Sequence, residues 1–171
     1  MTREELLAKL RELTLLPVSC LLAIHSPALA QIPDWVIVAS HREAAMGIDR
    51  ASLSRSGDQA TASVLMGTFK PETFNDGSTV SFYISRETFR CDARTRTEVT
   101  VTAFDPMGEV AYQAPHVEAD LLVQPGSIYE NVLVAACDGQ TGLGGLGFAQ
   151  PLEAIDAERT KRVAAGLQVV D

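Results

Sequence analysis

Two cysteines constrain this chain more than any other feature, because each lies on the apolar side of a different periodicity. From Phe89 to Ala103 the residues alternate. Phe89, Cys91, Ala93, Thr95, Thr97, Val99, Val101 and Ala103 share one parity. Arg90, Asp92, Arg94, Arg96, Glu98, Thr100 and Thr102 share the other. Such alternation predicts a single strand with one face on a core and one in water, so the Cys91 sulfur is expected to point inward. Further on, Pro125-Gly126 breaks the chain, and Ser127 with Glu130 three residues later signals a helix start. Tyr129, Val132, Leu133, Ala136 and Cys137 then recur at helical spacing until Asp138-Gly139 stops the run. The helix face carrying Cys137 needs an apolar surface, and the sheet face carrying Cys91 is the one available. A bridge between them closes a loop of roughly 46 residues, worth about 4 kcal/mol in the chain-entropy model.

A structural disulfide belongs outside the reducing cytosol, and the N-terminal region agrees. Leu13 to Ile24 has the length of a signal-peptide apolar core and is too short to span a membrane. Ala28-Leu29-Ala30 supplies the small-x-small pattern of signal cleavage, which makes Gln31 the expected new N-terminus. The flanking charges are weaker evidence, since Arg3, Lys9 and Arg11 balance Glu4, Glu5 and Glu12. Cys20 falls inside the removed segment and leaves an even pair. Pro17 stands where a lipoprotein signal carries Leu, which argues against a lipid anchor on Cys20. Residues 1–30 are therefore read as a signal peptide, 31–139 as the domain, and 140–171 as a glycine-rich linker with a charged C-terminal helix. The net charge of −8 repels phosphate backbones and anionic headgroups, so nucleic acid and membrane surfaces are not expected partners.

Between Asp34 and Gln113 the pattern predicts strands over Trp35–Ala39, Met46–Asp49, Ala60–Lys70, Thr79–Ile84, Phe89–Ala103 and Glu109–Gln113. Turns are expected at Ser56-Gly57-Asp58, Pro71–Gly77 and Asp105-Pro-Met-Gly108. This is an antiparallel meander and not a set of βαβ units. The fold class is α+β: a curved antiparallel sheet of about six strands, with a C-terminal helix packed on one face and tethered by a disulfide. Pro151 to Ala165 reads as a second helix with a thin apolar stripe, expected on the surface.

The same residues resemble the surface-adhesin protein E-like family of Gram-negative bacteria. The resemblance runs over about residues 35 to 137, through Trp35-Val36, Ile48 to Leu53, Val64-Leu65-Met66, Cys91 to Arg96, Phe104 to Gly108 and Pro125-Gly126-Ser127. It implies a sheet covered by a disulfide-tethered helix, and an exported domain of the periplasm or outer surface. It also implies a protein ligand, from the extracellular matrix or the envelope. Leu65-Met66 stand where relatives commonly show Trp, so no ligand contact of that Trp transfers to this chain.

Several motifs carry residue types with possible chemistry, and each has a simpler reading. Gly142 to Gly147 is a literal G-x-G-x-x-G, but it follows a helix where a dinucleotide site needs a strand before it. His116, Glu118 and Asp120 would share one face of a strand, yet lack a fourth metal ligand. Ser127, His116 and Asp120 include the residue types of a hydrolase triad, but Ser127 serves as a helix cap and no nucleophile elbow surrounds it. No catalytic, cofactor or metal site is assigned, and no enzyme activity is expected. Arg90, Arg94 and Arg96 form a basic stripe in an acidic domain. It reads first as cross-strand pairing with acidic neighbours, and second as a contact patch for an acidic partner. The leading expectation is an exported, non-enzymatic, adhesin-like binding protein; the alternative is a periplasmic structural or assembly domain without a host ligand, and after it a small hydrolase or metal-binding protein.

Overall fold

The computed structural model describes residues 31–139 and 145–169, with the side chains of 114–117 outside the description. Among them, seven strands form one antiparallel sheet: β1 (Trp35–Ser40), β2 (Ala44–Asp49), β3 (Ser54–Ser56), β4 (Gln59–Thr73), β5 (Thr79–Arg90), β6 (Thr95–Phe104) and β7 (Val110–Leu122). Two helices follow, α1 (Ile128–Asp138) and α2 (Pro151–Ala164). The strand order is β1-β2-β4-β5-β6-β7, with β3 pairing the start of β4 where β2 leaves off. A short 3-10 turn at Arg50–Ser52 bends the chain from β2 into β3, and Asp49 Oδ1 caps it by accepting from Ala51 N at 3.0 Å.

The centre of the sheet is apolar on both faces, which is why Val64-Leu65-Met66 reads as a run and not as an alternation. Met46, Ile48, Ala60, Ala62, Val64 and Phe89 are buried on the first face beneath Val132, Leu133, Ala135 and Ala136 of α1. Trp35, Ala45, Leu65, Phe69 and Phe82 are buried on the second face with Ala154 and Ile155 of α2. Each large apolar side chain sealed this way stabilises by roughly 1.5–3 kcal/mol. The expectation that the second helix lies on the surface is therefore corrected. Its stripe is thin because Ala154 and Ile155 meet a matching notch. A Cβ on Gly67 would lie 2.3 Å from Ile155 Cδ1, so only glycine admits the isoleucine this close to the strand. The entry to α2 is also fastened, since Phe148 bridges Trp35 through both backbone bonds, at 2.8 and 2.9 Å.

The long alternating run is likewise corrected. Phe89–Ala103 is two strands, not one: β5 ends at Arg90, Cys91 to Arg94 turns, and β6 starts at Thr95. The turn residue in the left-handed region is Arg94, at φ 53°. No glycine marks it, and the parity of the sequence passes through undisturbed. β5 and β7 both run longer than the pattern suggested, and β3 had no sequence signal beyond three polar residues.

Candidate functional site

The organising feature is the seat of α1 on the first face. Its C-terminal end is joined to the β5–β6 turn by the Cys91–Cys137 disulfide, across a sequence separation of 46 and a Cα–Cα distance of 5.7 Å. Cys91 reaches the core from a turn held by its own backbone: Cys91 N donates to Asp58 O at 2.9 Å, and Asp92 N to Asp58 Oδ1 at 2.7 Å. Val123 N donates to Arg94 O at 2.9 Å, tying the same turn to the segment that leads into α1.

The turn also grips the other end of the helix. Arg94 Nη2 pairs with Glu130 Oε1 in the first turn of α1. Glu130 Oε2 accepts from Gly126 N at 2.6 Å, and Ser127 Oγ accepts from Glu130 N at 3.3 Å. This is a shifted capping box, in which the glutamate reaches the amide one residue before the N-cap. The Gly126 amide first, and then Arg94, hold the Glu130 carboxyl below its ordinary range. One four-residue turn thus anchors both ends of the helix, covalently through Cys91 and by an ion pair through Arg94.

Beneath the first turn of α1 lies a polar cluster that no sequence motif announced. Glu87 is wholly buried, accepting from Ser85 Oγ at 2.7 Å and from Arg96 Nη1 at 3.2 Å. Arg96 also meets Glu98 Oε2 at 3.2 Å, and its guanidinium lies 3.9 Å from the centre of the Tyr129 ring. Burial pushes the Glu87 carboxyl above its ordinary range, with Arg96 and Ser85 working against the shift. Burial, and then Glu87, raises the Tyr129 hydroxyl as well. A buried carboxylate, a stacked guanidinium and a phenol make a polar socket for the helix; its groups face each other and not a cleft. Cross-strand register could have hinted at it, because Glu87 and Glu98 stand opposite one another with Arg96 two residues away.

The three arginines of the sequence stripe do not stay together. Arg96 pairs with Glu87, Arg94 with Glu130, and Arg90 is exposed. Arg90 stands opposite Gln59 and Thr95, one position from Phe89, which lies on the α1 face, so it belongs to the second face while Arg96 belongs to the first. His116 falls among the residues whose side chains are outside the description. The strand carrying Glu118 and Asp120 is irregular between Pro115 and Glu118, and Asp120 takes φ 56°, so the even spacing assumed for a ligand face is broken. Among the described residues, no three His, Cys, Asp or Glu side chains gather as a metal would need. Ser127 is engaged as the N-cap of α1, donating to Gln124 O at 2.7 Å. The expected signal peptide with Cys20, and Gly142 and Gly144 of the glycine motif, lie outside the described residues.

No helix among the described residues is long and apolar enough to cross a membrane. The outer edge of β7 ends the sheet order, and Val110, Tyr112 and Leu122 on that strand are 57%, 61% and 60% exposed. Searches of curated proteins and of solved structures find no match to this chain. A family model does match. It runs over residues 35–138, from the first residue of β1 to the last residue of the disulfide-tethered helix, and it is described as surface-adhesin protein E. On that match, which spans more than half of the chain, the protein belongs to the surface-adhesin protein E family.

Proposed function

We propose that this protein is exported and non-enzymatic, and that its sheet–helix module presents a binding surface to another protein at the bacterial envelope or cell surface. The observation that carries the reading is the family match, which coincides with the module pinned by Cys91 and Cys137. A disulfide of this kind persists in an oxidising compartment, and Ala28-Leu29-Ala30 ahead of Gln31 supplies the processing signal for reaching one. On this reading residues 31–139 are the binding domain, and the segment after Gly139 is an extension fastened to the second face.

The surface that supports protein binding is the β7 edge. An edge strand offers unpaired backbone groups to an extended segment of a partner, and exposed apolar side chains beside it supply contact area. Tyr112 stands opposite Ala103 of β6, and a bulge separates it from Val110, which stands opposite Phe104. The test joins two measurements: surface labelling of intact cells, and binding of the purified protein to a panel of immobilised extracellular-matrix proteins. Labelling, together with binding that Tyr112→Asp abolishes, supports the proposal. A protein shielded from label on intact cells, and binding none of the panel, overturns it in favour of a periplasmic assembly role.

A further inference from the structure

The end of the second face that α2 leaves bare has an unusual composition for so acidic a chain. Strand register places Ser54, Thr61, Thr88 and Thr97 in one row across β3, β4, β5 and β6. On either side of it run Ser63, Arg86 and Thr100, and Gln59, Arg90 and Thr95. Side-chain contacts confirm that these rows share a face: Thr61 Oγ1 lies 3.3 Å from Thr88 Oγ1, and Arg86 Nη1 lies 3.5 Å from Ser63 Oγ. None of these positions is Asp or Glu, although the chain carries a net charge of −8. Asp58 and Asp92 stand at the rim beside the β5–β6 turn, and Asp120 adjoins the β7 end of the central row, its amide donating to Thr97 Oγ1 at 3.5 Å. Arg86 is held in place by donating to Ser52 O at 3.3 Å, and Arg90 is exposed.

We propose that this face binds an anionic polysaccharide. Strands about 4.8 Å apart, with same-face residues about 6.8 Å apart along regular stretches, set out hydroxyls as a lattice, interrupted on β6 by the bulge between Thr97 and Thr100. Such a lattice suits a polymer that repeats hydroxyl and acidic groups along its length, and the two arginines supply its counter-charge. A neutral sugar is a poorer fit, because the rows contain no aromatic ring for it to stack on. An acidic peptide is also a poorer fit, because the rows have no apolar pocket for an anchoring side chain. The shared chemistry is a sulfate or carboxylate on a hydroxylated polymer. The inference rests on this face alone and is independent of the protein-binding proposal.

The experiment measures binding of the full chain to immobilised heparin, polygalacturonate, neutral dextran and poly-glutamate at low salt. Binding to heparin, polygalacturonate or both, and not to dextran or poly-glutamate, is expected; which of the two is preferred separates sulfate from carboxylate recognition. Arg90→Glu should weaken it at least tenfold, while Arg42→Glu, an exposed site between β1 and β2, should change it less than twofold. Thr88→Val, which alters no charge, should weaken it about threefold. Arg90→Gln replaces Arg90→Glu if the latter fails to fold, with the same direction expected. Absence of binding to both polysaccharides overturns the proposal. Equal loss in Arg42→Glu, which would mark long-range charge only, or equal binding to poly-glutamate, which would point to an acidic protein, also overturns it.

Discussion

Gly67 and Ile155 occupy a space that admits no further carbon: a methyl group on Gly67 would sit 2.3 Å from Cδ1 and 2.4 Å from Cγ1 of Ile155. Isoleucine is branched at Cβ and cannot swing aside freely. Gly67→Ala should therefore lift α2 from the sheet and cost about 1–3 kcal/mol. Gly67→Ala combined with Ile155→Ala should recover part of that loss, because the added methyl then fills space the isoleucine vacates. Chemical denaturation of the two single variants and the double variant checks this, and strict additivity would deny the notch.

Ser127 is the N-cap of α1. Ser127→Ala should cost about 0.5–2 kcal/mol by leaving an amide of the first turn without its side-chain acceptor. The same denaturation measurement reads it. A loss far beyond that range would assign Ser127 more than a capping role.

Glu87 gives a pH signature of known sign. Its carboxyl is raised in the folded state chiefly by burial, so the folded protein holds that proton more tightly than the unfolded chain. Stability contributed at this site is fully present below the ordinary glutamate range, and falls as pH rises from there through the folded value. Glu87→Gln keeps the shape and removes the titration, while Arg96 retains Glu98. Relative to the wild type, the variant should gain stability as pH rises through that window and show no such trend below it. Thermal unfolding across a pH series settles the sign. A variant that steadily loses ground as pH rises would mean that the carboxyl is depressed instead.

Export has its own readout. Protein recovered from the cell envelope should begin at Gln31, since cleavage after Ala30 follows from Ala28-Leu29-Ala30. N-terminal sequencing that finds Met1 retained in a cytosolic fraction would remove the compartment on which the proposed function depends.

Much of the fold could be read from local signals. Period-two patterns located β1, β2, β4 and the start of β5, and the Ser127 and Glu130 pair located α1 within one residue. The failures have physical causes. The β5–β6 turn hides because its left-handed residue is Arg94 and not glycine, and because Cys91, Ala93 and Thr95 keep the alternation going through it. That one hidden turn sent Arg90 and Arg96 to opposite faces and dissolved the expected basic stripe. α2 departs from the surface position its thin stripe predicts, because a helix needs few apolar residues when one of them fits a glycine notch. The Glu87 socket requires strand register, which sequence periodicity does not supply. The hydroxyl rows emerge only when β3, β4, β5 and β6 are set side by side.

The pinned helix is the element on which fold and family both turn. Replacing Cys91 and Cys137 with Ser should cost about 2–5 kcal/mol and loosen α1 while leaving the Arg94–Glu130 pair to hold its first turn. The most direct measurement is peptide mapping of the freshly exported protein without reductant. A single cross-linked peptide pair joining Cys91 to Cys137 is expected, and it should separate on reduction. Two free thiols at those positions would undo the tethered helix, and with it the proposed binding module built upon it.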